Sequence, residues 1–344
     1  MTMKEEEIRP QDLFNRFLAA AREDIETFFS DHSQFVATNC AACGSQNRKW
    51  AFDKLGFQFQ TCRDCGSLYL SPRPSPEAFD SYFHDGKSVK FWSTDFYRET
   101  AEARREKIFR PRAELIARVM QSEPPDRRNV FVDVGSGYGI FLEEVARQNT
   151  FKTVMGIERA PNMAAVCREK GFKVIEKSVE DVSSSEVQAD MVTTFEVLEH
   201  VFEPADFLRS LWNITAEGGI VLFTTLTISG FDLQVLWDRS KSIYPPHHIN
   251  LISVEGMHHL VESCGFEVIE IATPGSLDVD IVANAMKEDP TLEVPRFVKY
   301  LVQNRDEQVQ QNFQTFLQQN QLSSHIRCIA RKPSNKPSNT SRVV

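Results

Sequence analysis

Apolar positions along the chain change period several times, and each change marks a different kind of element. Residues 8–29 place Leu13, Phe14, Phe17, Leu18, Ala21, Ile25, Phe28 and Phe29 at helical spacing, one apolar face that must be covered. The chain's own surface is the simpler cover, and a dimer contact is the alternative. Residues 77–120 also read mostly as helix, between the proline-rich stretch Ser71-Pro72-Arg73-Pro74-Ser75-Pro76, a stiff linker, and Pro124-Pro125. From Arg128 apolar runs alternate with amphipathic stretches, which predicts strands at 129–134, 153–157, 172–176, 190–195 and 219–225. Helices are predicted at 139–148, 161–170, 204–215 and 253–264. A sixth strand follows at 266–271, and a seventh at 326–330 comes only after a largely helical insertion. The fold class is therefore α/β, a Rossmann-like seven-stranded sheet with added helices.

The expected organisation is an N-terminal amphipathic helix (1–35), a small cysteine module (36–75), a helical linker (76–125) and a Rossmann-like core (126–275). A helical insertion (276–324), a final strand (325–332) and a disordered Ser/Pro/Asn-rich tail (333–344) complete it. A length of 344 residues, 41% hydrophobic and 25% charged, fits one α/β domain with an accessory unit. No apolar run approaches the roughly 18 residues of a membrane span, and the acidic start MTMKEEE is unlike a secretory signal. The expected compartment is the cytoplasm. A net charge of −9 without a basic patch argues against nucleic acid and for a small-molecule acceptor. The sequence leaves the oligomeric state open, a homo-oligomer included.

Two constellations carry chemistry. Cys40-Ala-Ala-Cys43-Gly44 and Cys62-Arg-Asp-Cys65-Gly66, separated by residues 44–61, form the paired C-x2-C spacing of a structural zinc ribbon. Four thiolates fill a tetrahedral shell, which leaves no position for a catalytic water. Cys167, Cys264 and Cys328 lie singly in apolar segments and read as core residues. The second constellation is Val130-Phe131-Val132-Asp133-Val134-Gly135-Ser136-Gly137-Tyr138-Gly139, a buried strand entering a glycine turn that opens a helix. Glu158 ends the next strand about 20 residues later, placed to accept ribose hydroxyls. Ile140 stands where a dinucleotide fingerprint wants a small residue, which disfavours an NAD-linked sugar dehydrogenase or epimerase.

The glycine motif, with Phe195-Glu196-Val197-Leu198-Glu199-His200-Val201 after the fourth strand, resembles class I S-adenosylmethionine-dependent methyltransferases, particularly those of ubiquinone biosynthesis. The resemblance implies S-adenosylmethionine as cofactor. It assigns Asp133, Gly135, Gly137, Gly139 and Glu196 to the cofactor turn and its surroundings, Glu158 to the ribose, and Val179 or Glu180 to the adenine. Ser178 departs from the Asp that many relatives carry. The cysteine unit through Pro74, with Tyr244-Pro245-Pro246-His247-His248-Ile249-Asn250, residues 274–282 and Leu322-Ser323-Ser324-His325, is similar to bacterial methyltransferases of sugar and surface-glycan biosynthesis. That likeness implies a nucleotide-activated sugar or glycan intermediate as acceptor.

Methyl transfer needs alignment and exclusion of water, and a base only where the acceptor must lose a proton. Loops leaving the carboxyl ends of the fourth and fifth strands reach the cofactor. The candidate catalytic residues are accordingly Glu199 and His200 in the first, and Tyr244, His247 and His248 in the second. His258 and His259, on a helix, read as surface or packing residues. A non-catalytic, cofactor-binding zinc-ribbon scaffold is the competing reading, because a fold does not guarantee chemistry.

Overall fold

The computed structural model describes residues 3–334; the tail anticipated at 333–344 lies, from 335 on, outside them. Among the described residues, eleven strands form two sheets. The smaller contains β1 (Arg48–Lys54), β2 (Phe57–Cys62), β3 (Leu68–Leu70) and β9 (Asn250–Leu251), in that order and antiparallel throughout. The larger contains β4 (Val130–Val134), β5 (Thr153–Ile157), β6 (Lys173–Ile175), β7 (Ala189–Phe195), β8 (Thr215–Leu226), β10 (Glu267–Ala272) and β11 (His325–Arg331). Its order is β10-β11-β8-β7-β4-β5-β6, with β4 to β8 parallel and β11 antiparallel to both its neighbours. This is a Rossmann-like sheet of seven mixed strands.

Crossover helices Ile140–Arg147, Pro161–Glu169 and Pro204–Ile214 join the parallel strands. Each of the last two carries proline at its first position, where the missing N–H is not needed. The central strands β4 and β7 are buried along nearly their whole length, as a sheet covered by helices on both faces requires. Residues 87–121 run as nearly continuous helix, interrupted by two π turns at Trp92–Phe96 and Arg105–Phe109. Such turns rotate the following side chains relative to a straight α-helix. Helix Gln11–Phe28 covers its apolar face against this run and the loop that follows β8: Phe17 packs edge-on to Trp92 at 5.0 Å, and Asp24 accepts hydrogen bonds from the Lys87 and Ser88 N–H groups at 2.8 Å. The amphipathic segment thus docks on its own chain.

Two features depart from a module joined to the core by a linker. The small sheet borrows its fourth strand, β9, from the segment between β8 and β10. Moreover, the 71–76 stretch is docked onto the core. Arg73 is 1% exposed. It donates to the Phe202 carbonyl at 2.6 Å, to Asn250 Oδ1 at 3.3 Å and to the Leu70 carbonyl at 3.3 Å, with its guanidinium 5.1 Å from the Phe202 ring. Proline spacing correctly excludes helix here, but it carries no information about a long side chain reaching across 129 residues to Phe202. No helix among the described residues is long and apolar enough to cross a membrane.

Replacing Arg73 with Met keeps most of the volume but leaves buried carbonyls without donors. The expected loss is about 2–4 kcal/mol, typical of a buried charge-assisted network, read as a lower midpoint in urea denaturation. An unchanged midpoint would mean that the cysteine module and the core are not energetically joined through this side chain.

Candidate functional site

Parallel strands leave their ligands at the carboxyl edge, and two adjoining cavities occupy that edge here. The first, about 590 Å³, lies between the ends of β4 and β5 and the loops after β6 and β7. Gly135 adopts φ +75, and a Cβ there would stand 3.3 Å from Val197, so the bare backbone lets the turn approach whatever fills the space. Gly137 presents its N–H to Glu158 Oε2 at 2.8 Å, while Glu158 Oε1 accepts from the Ala160 N–H at 2.9 Å. Each oxygen has a lone pair left for a ribose hydroxyl. Ser178, Val179, Glu180 and Asp181 form one rim, and Ile157, Val197 and Phe207 supply apolar walls. Phe79 and Phe83, from helix Pro76–Asp85, close the outer side.

Gly139 has a different task. It starts helix Ile140–Arg147 at φ +71, where a Cβ would lie 2.9 Å from Cys167 Sγ, and it borders neither cavity. Asp133 is buried and accepts from the Thr193 hydroxyl at 2.7 Å. Burial pushes its carboxyl up to about 7.

The second cavity, about 280 Å³, sits over the ends of β7 and β8 and is roofed by the N-terminal helices. Gly135 and His200 border both cavities, so the two meet there. His200, His247 and His248 converge, with ring centroids 4.5, 4.9 and 5.3 Å apart. His200 Nδ1 lies 2.6 Å from the His247 carbonyl and His248 Nδ1 lies 2.6 Å from the Ser242 carbonyl. A carbonyl only accepts, so both Nδ1 atoms carry the proton and both Nε2 atoms carry a lone pair. Burial lowers the pKa of all three rings, that of His248 to about 3, and mutual repulsion adds to the effect on His247 and His248. The cluster is neutral at pH 7. Tyr244 lines the same cavity, but its hydroxyl donates to the Leu18 carbonyl at 3.1 Å and ties down the roof.

Two glutamates flank the histidines with opposite protonation. Burial, and then the nearby Glu196 charge, push Glu199 up to about 8, although the Thr225 hydroxyl donates to it at 2.6 Å. Glu196 is held well below the usual carboxylate range. Burial opposes its ionisation, but His325 at 3.4 Å, Arg112 at 2.9 Å and the Thr224 hydroxyl at 2.6 Å outweigh that cost. Glu196 lines the second cavity and not the first. Its backbone φ of +55, unusual for a residue with a side chain, is retained while its N–H bonds the Thr224 carbonyl at 2.9 Å. Arg9, Phe17, Trp92, Tyr97, Arg104, Arg112 and His325 also line this cavity and were not singled out from the sequence as site residues. His258 and His259 are exposed and remote from it.

At the other end of the small sheet, Cys40 Sγ and Cys65 Sγ lie 3.5 Å apart, and Cys43 Sγ and Cys62 Sγ 3.6 Å apart. All four sulfurs fall within 4.8 Å of one another. Disulfide sulfurs would be about 2.0 Å apart, whereas a tetrahedral ion with zinc–sulfur bonds near 2.3 Å spaces its sulfurs by about 3.8 Å. The donor set and its spacing fit a tetrahedral ion.

Residues 101–271 match the family model described as a methyltransferase domain. The chain is 32% identical over 142 residues to the mitochondrial ubiquinone biosynthesis O-methyltransferase of Saccharomyces cerevisiae, covering 38% of this chain and 42% of that protein. It is 34% identical over 106 residues to the ubiquinone biosynthesis O-methyltransferase of Escherichia coli, covering 29% and 43%. The chain thus spans less than half the length of these curated relatives. Among solved structures it is similar to phosphoethanolamine N-methyltransferase 2 of Haemonchus contortus bound to S-adenosylmethionine. That match has TM-score 0.49 and 15% identity, over 78% of this chain and 63% of that one. It is also similar to the plantazolicin methyltransferase in complex with S-adenosylhomocysteine, with TM-score 0.48 and 13% identity, over 74% and 94%. The family match makes residues 101–271 a methyltransferase domain.

The buried acids and imidazoles set a pH optimum for stability. The folded-state pKa of His248 is depressed, so the fold binds fewer protons than the unfolded chain between about pH 3 and 6.5, and stability rises with pH across that window. Glu199 has a raised folded-state pKa. Its contribution is fully present below about pH 4.5 and fades as pH rises to about 8, with Asp133 adding the same sign up to about 7. Thermal unfolding across pH 4–9 should show a maximum near pH 6. Glu199→Gln, which stays neutral and keeps the shape, should flatten the alkaline decline; an unaltered decline would show that Glu199 is ionised in the fold.

Proposed function

We propose that this chain methylates a small molecule, with S-adenosylmethionine in the 590 Å³ cavity and the acceptor in the 280 Å³ cavity. The observation that carries this reading is the shared border at Gly135 and His200, which lets a methyl group cross from one space to the other without meeting bulk water. The cofactor supplies the electrophilic methyl. Glu158 would accept the ribose hydroxyls, and Gly135 and Gly137 would bring backbone close to the methionine part. Val179, with Glu180, would face the adenine. Asp133 and Gly139 would act indirectly, holding the turn and the start of its helix.

On the acceptor side, the Nε2 lone pairs of His200 and His248 are the free acceptors among pinned rings, and His247 is held by the Tyr82 hydroxyl at 3.2 Å. One of these imidazoles takes the hydrogen bond, and where needed the proton, of the attacking hydroxyl or amine. The Glu196 carboxylate favours the charge that results on His200 or His248. Glu199 in its protonated form, together with Tyr244, holds the loop in place. The four cysteines would bind one structural zinc. For the acceptor itself, a nucleotide-activated sugar or glycan intermediate is the reading supported by the similarity running from Cys40 to Lys332. The relatives named for ubiquinone biosynthesis make a phenolic acceptor the alternative. Labelled S-adenosylmethionine incubated with nucleotide sugars, glycan intermediates and polyprenylated phenols, followed by mass analysis, separates them; a label that reaches no class while the cofactor binds would favour a non-catalytic scaffold.

Glu158→Ala should weaken calorimetric S-adenosylmethionine affinity by about 1.5–3 kcal/mol, the scale of a charge-assisted hydrogen bond. His247→Ala and His248→Ala should leave that affinity intact, and at least one should reduce turnover by about 10² to 10⁴ if it acts as base. Normal turnover in both would move the proton transfer to His200 or remove the need for a protein base. Freshly purified protein should carry one zinc per chain. Replacing Cys62 and Cys65 with Ser should abolish it and destabilise the cysteine knuckles; metal retained in that variant would refute the assignment.

A further inference from the structure

The acceptor cavity holds more positive charge than its own carboxylates neutralise. Arg112 is satisfied by Glu196 at 2.9 Å, and Lys241 forms an ion pair with Glu288. Arg9 faces Glu5 at 3.4 Å. Arg104 has no carboxylate within ion-pair distance among the described residues. Its Nε donates to the Thr100 hydroxyl at 3.0 Å and one Nη to the Ile8 carbonyl at 3.1 Å, both uncharged acceptors. The rings of Trp92, Phe96 and Tyr97 surround the guanidinium at 5.7, 5.9 and 6.0 Å. These contacts fix its plane and leave N–H groups of the fork free for a ligand. They do not cancel its charge.

The remaining acids do not supply the balance. Glu199 and Asp133 are held toward their neutral forms by burial, and Glu196 is already shared between Arg112 and His325. Burial, followed by repulsion from Arg9 and Arg112, holds the Arg104 guanidinium down to about 10, against the pull of Tyr97 and Glu196. Guanidiniums that repel one another in a confined, aromatic-walled space are stabilised when an anion enters. A planar fork of N–H donors matches the two oxygens of a carboxylate or phosphate.

We propose that the acceptor is an anion, and that Arg104, assisted by Arg9, binds its carboxylate or phosphate and so fixes which atom faces His200. This rests on the assignment of the 280 Å³ cavity to the acceptor. It narrows the substrate class to molecules carrying the anionic group a few ångströms from the methylated atom, because the cavity is too small to separate them widely. Within the sugar reading, that means a sugar acid or a sugar phosphate. The cofactor's sulfonium charge next to the cavity would favour the same sign of ligand.

Isothermal titration on the full chain, in chloride-free buffer with S-adenosylhomocysteine present, tests the proposal with inorganic phosphate and pyrophosphate in one arm and acetate and glucuronate in the other. At least one anion should bind saturably at one per chain. Arg104→Gln should weaken it tenfold or more while changing S-adenosylhomocysteine affinity less than twofold. The arm that binds identifies the anion. Wild-type protein that binds none of the four, or equal anion affinity in Arg104→Gln, would overturn the proposal. If that variant does not fold, Arg9→Gln decides in its place, with at least threefold weakening expected and unchanged affinity contradicting. Failure of S-adenosylhomocysteine to bind, with anion binding intact and sensitive to Arg104, would strike the methyltransfer reading and with it the acceptor assignment, leaving only an anion site at Arg104.

Discussion

The seating of residues 247–250 against residues 199–202 is the contact on which the rest of the site depends. The Glu199 carbonyl accepts the N–H groups of Ile249 at 2.9 Å and Asn250 at 3.3 Å, and the Asn250 side chain donates to the Val201 carbonyl at 2.8 Å. The His200 ring completes the seam through the His247 carbonyl. Buried backbone groups need partners, and these two loops satisfy each other. Without that exchange neither could hold its histidines beside the cofactor turn.

Three parts of the molecule converge on this seam. The strand β9 extends one loop into the small sheet, so the cysteine knuckles are continuous with the histidine loop through backbone pairing. The Ser253 hydroxyl also bonds the Cys65 carbonyl, and its N–H bonds Ser67 Oγ at 3.1 Å, which sets the cysteine unit directly against the start of helix Val254–Ser263. Arg73 reaches the same seam from the linker side through Asn250 and Phe202. A cysteine cluster remote from the histidines can in this way influence them, by holding one wall of the loop that carries His247 and His248. On the opposite side, the Tyr244 hydroxyl fastens the roof helix through Leu18, and Phe17 packs edge-on to His247 at 5.5 Å.

The large sheet was legible from the sequence because its signals are local: apolar runs of strand length, glycines at a turn that needs positive φ, and helices begun by proline or glycine. Gly135, Glu158 and the paired cysteines stand out for the same reason, since spacing alone expresses their chemistry. The cavity over β7 and β8 was only half legible. His200, His247 and His248 lie in loops tied to strand ends, and that tie can be read. Arg104, Arg112 and Trp92 reach the cavity from the helical run that precedes β4, re-aimed by π turns that leave no periodic trace. His325 enters from the last strand, whose register against β8 places it opposite Leu226 and beside Glu196. The short strand β9 has two residues and no alternation to detect, so its loss from the core to the small sheet was invisible.

The most direct test of this arrangement is a crystal structure of the chain with S-adenosylhomocysteine. The adenine should lie against residues 178–181 and the ribose hydroxyls on Glu158. The sulfur should stand at the Gly135–His200 border, facing the cavity that holds His247, His248 and Arg104. A sulfur directed away from that cavity, or a ligand bound outside the glycine turn, would contradict the claim that the two spaces form one methyl-transfer site.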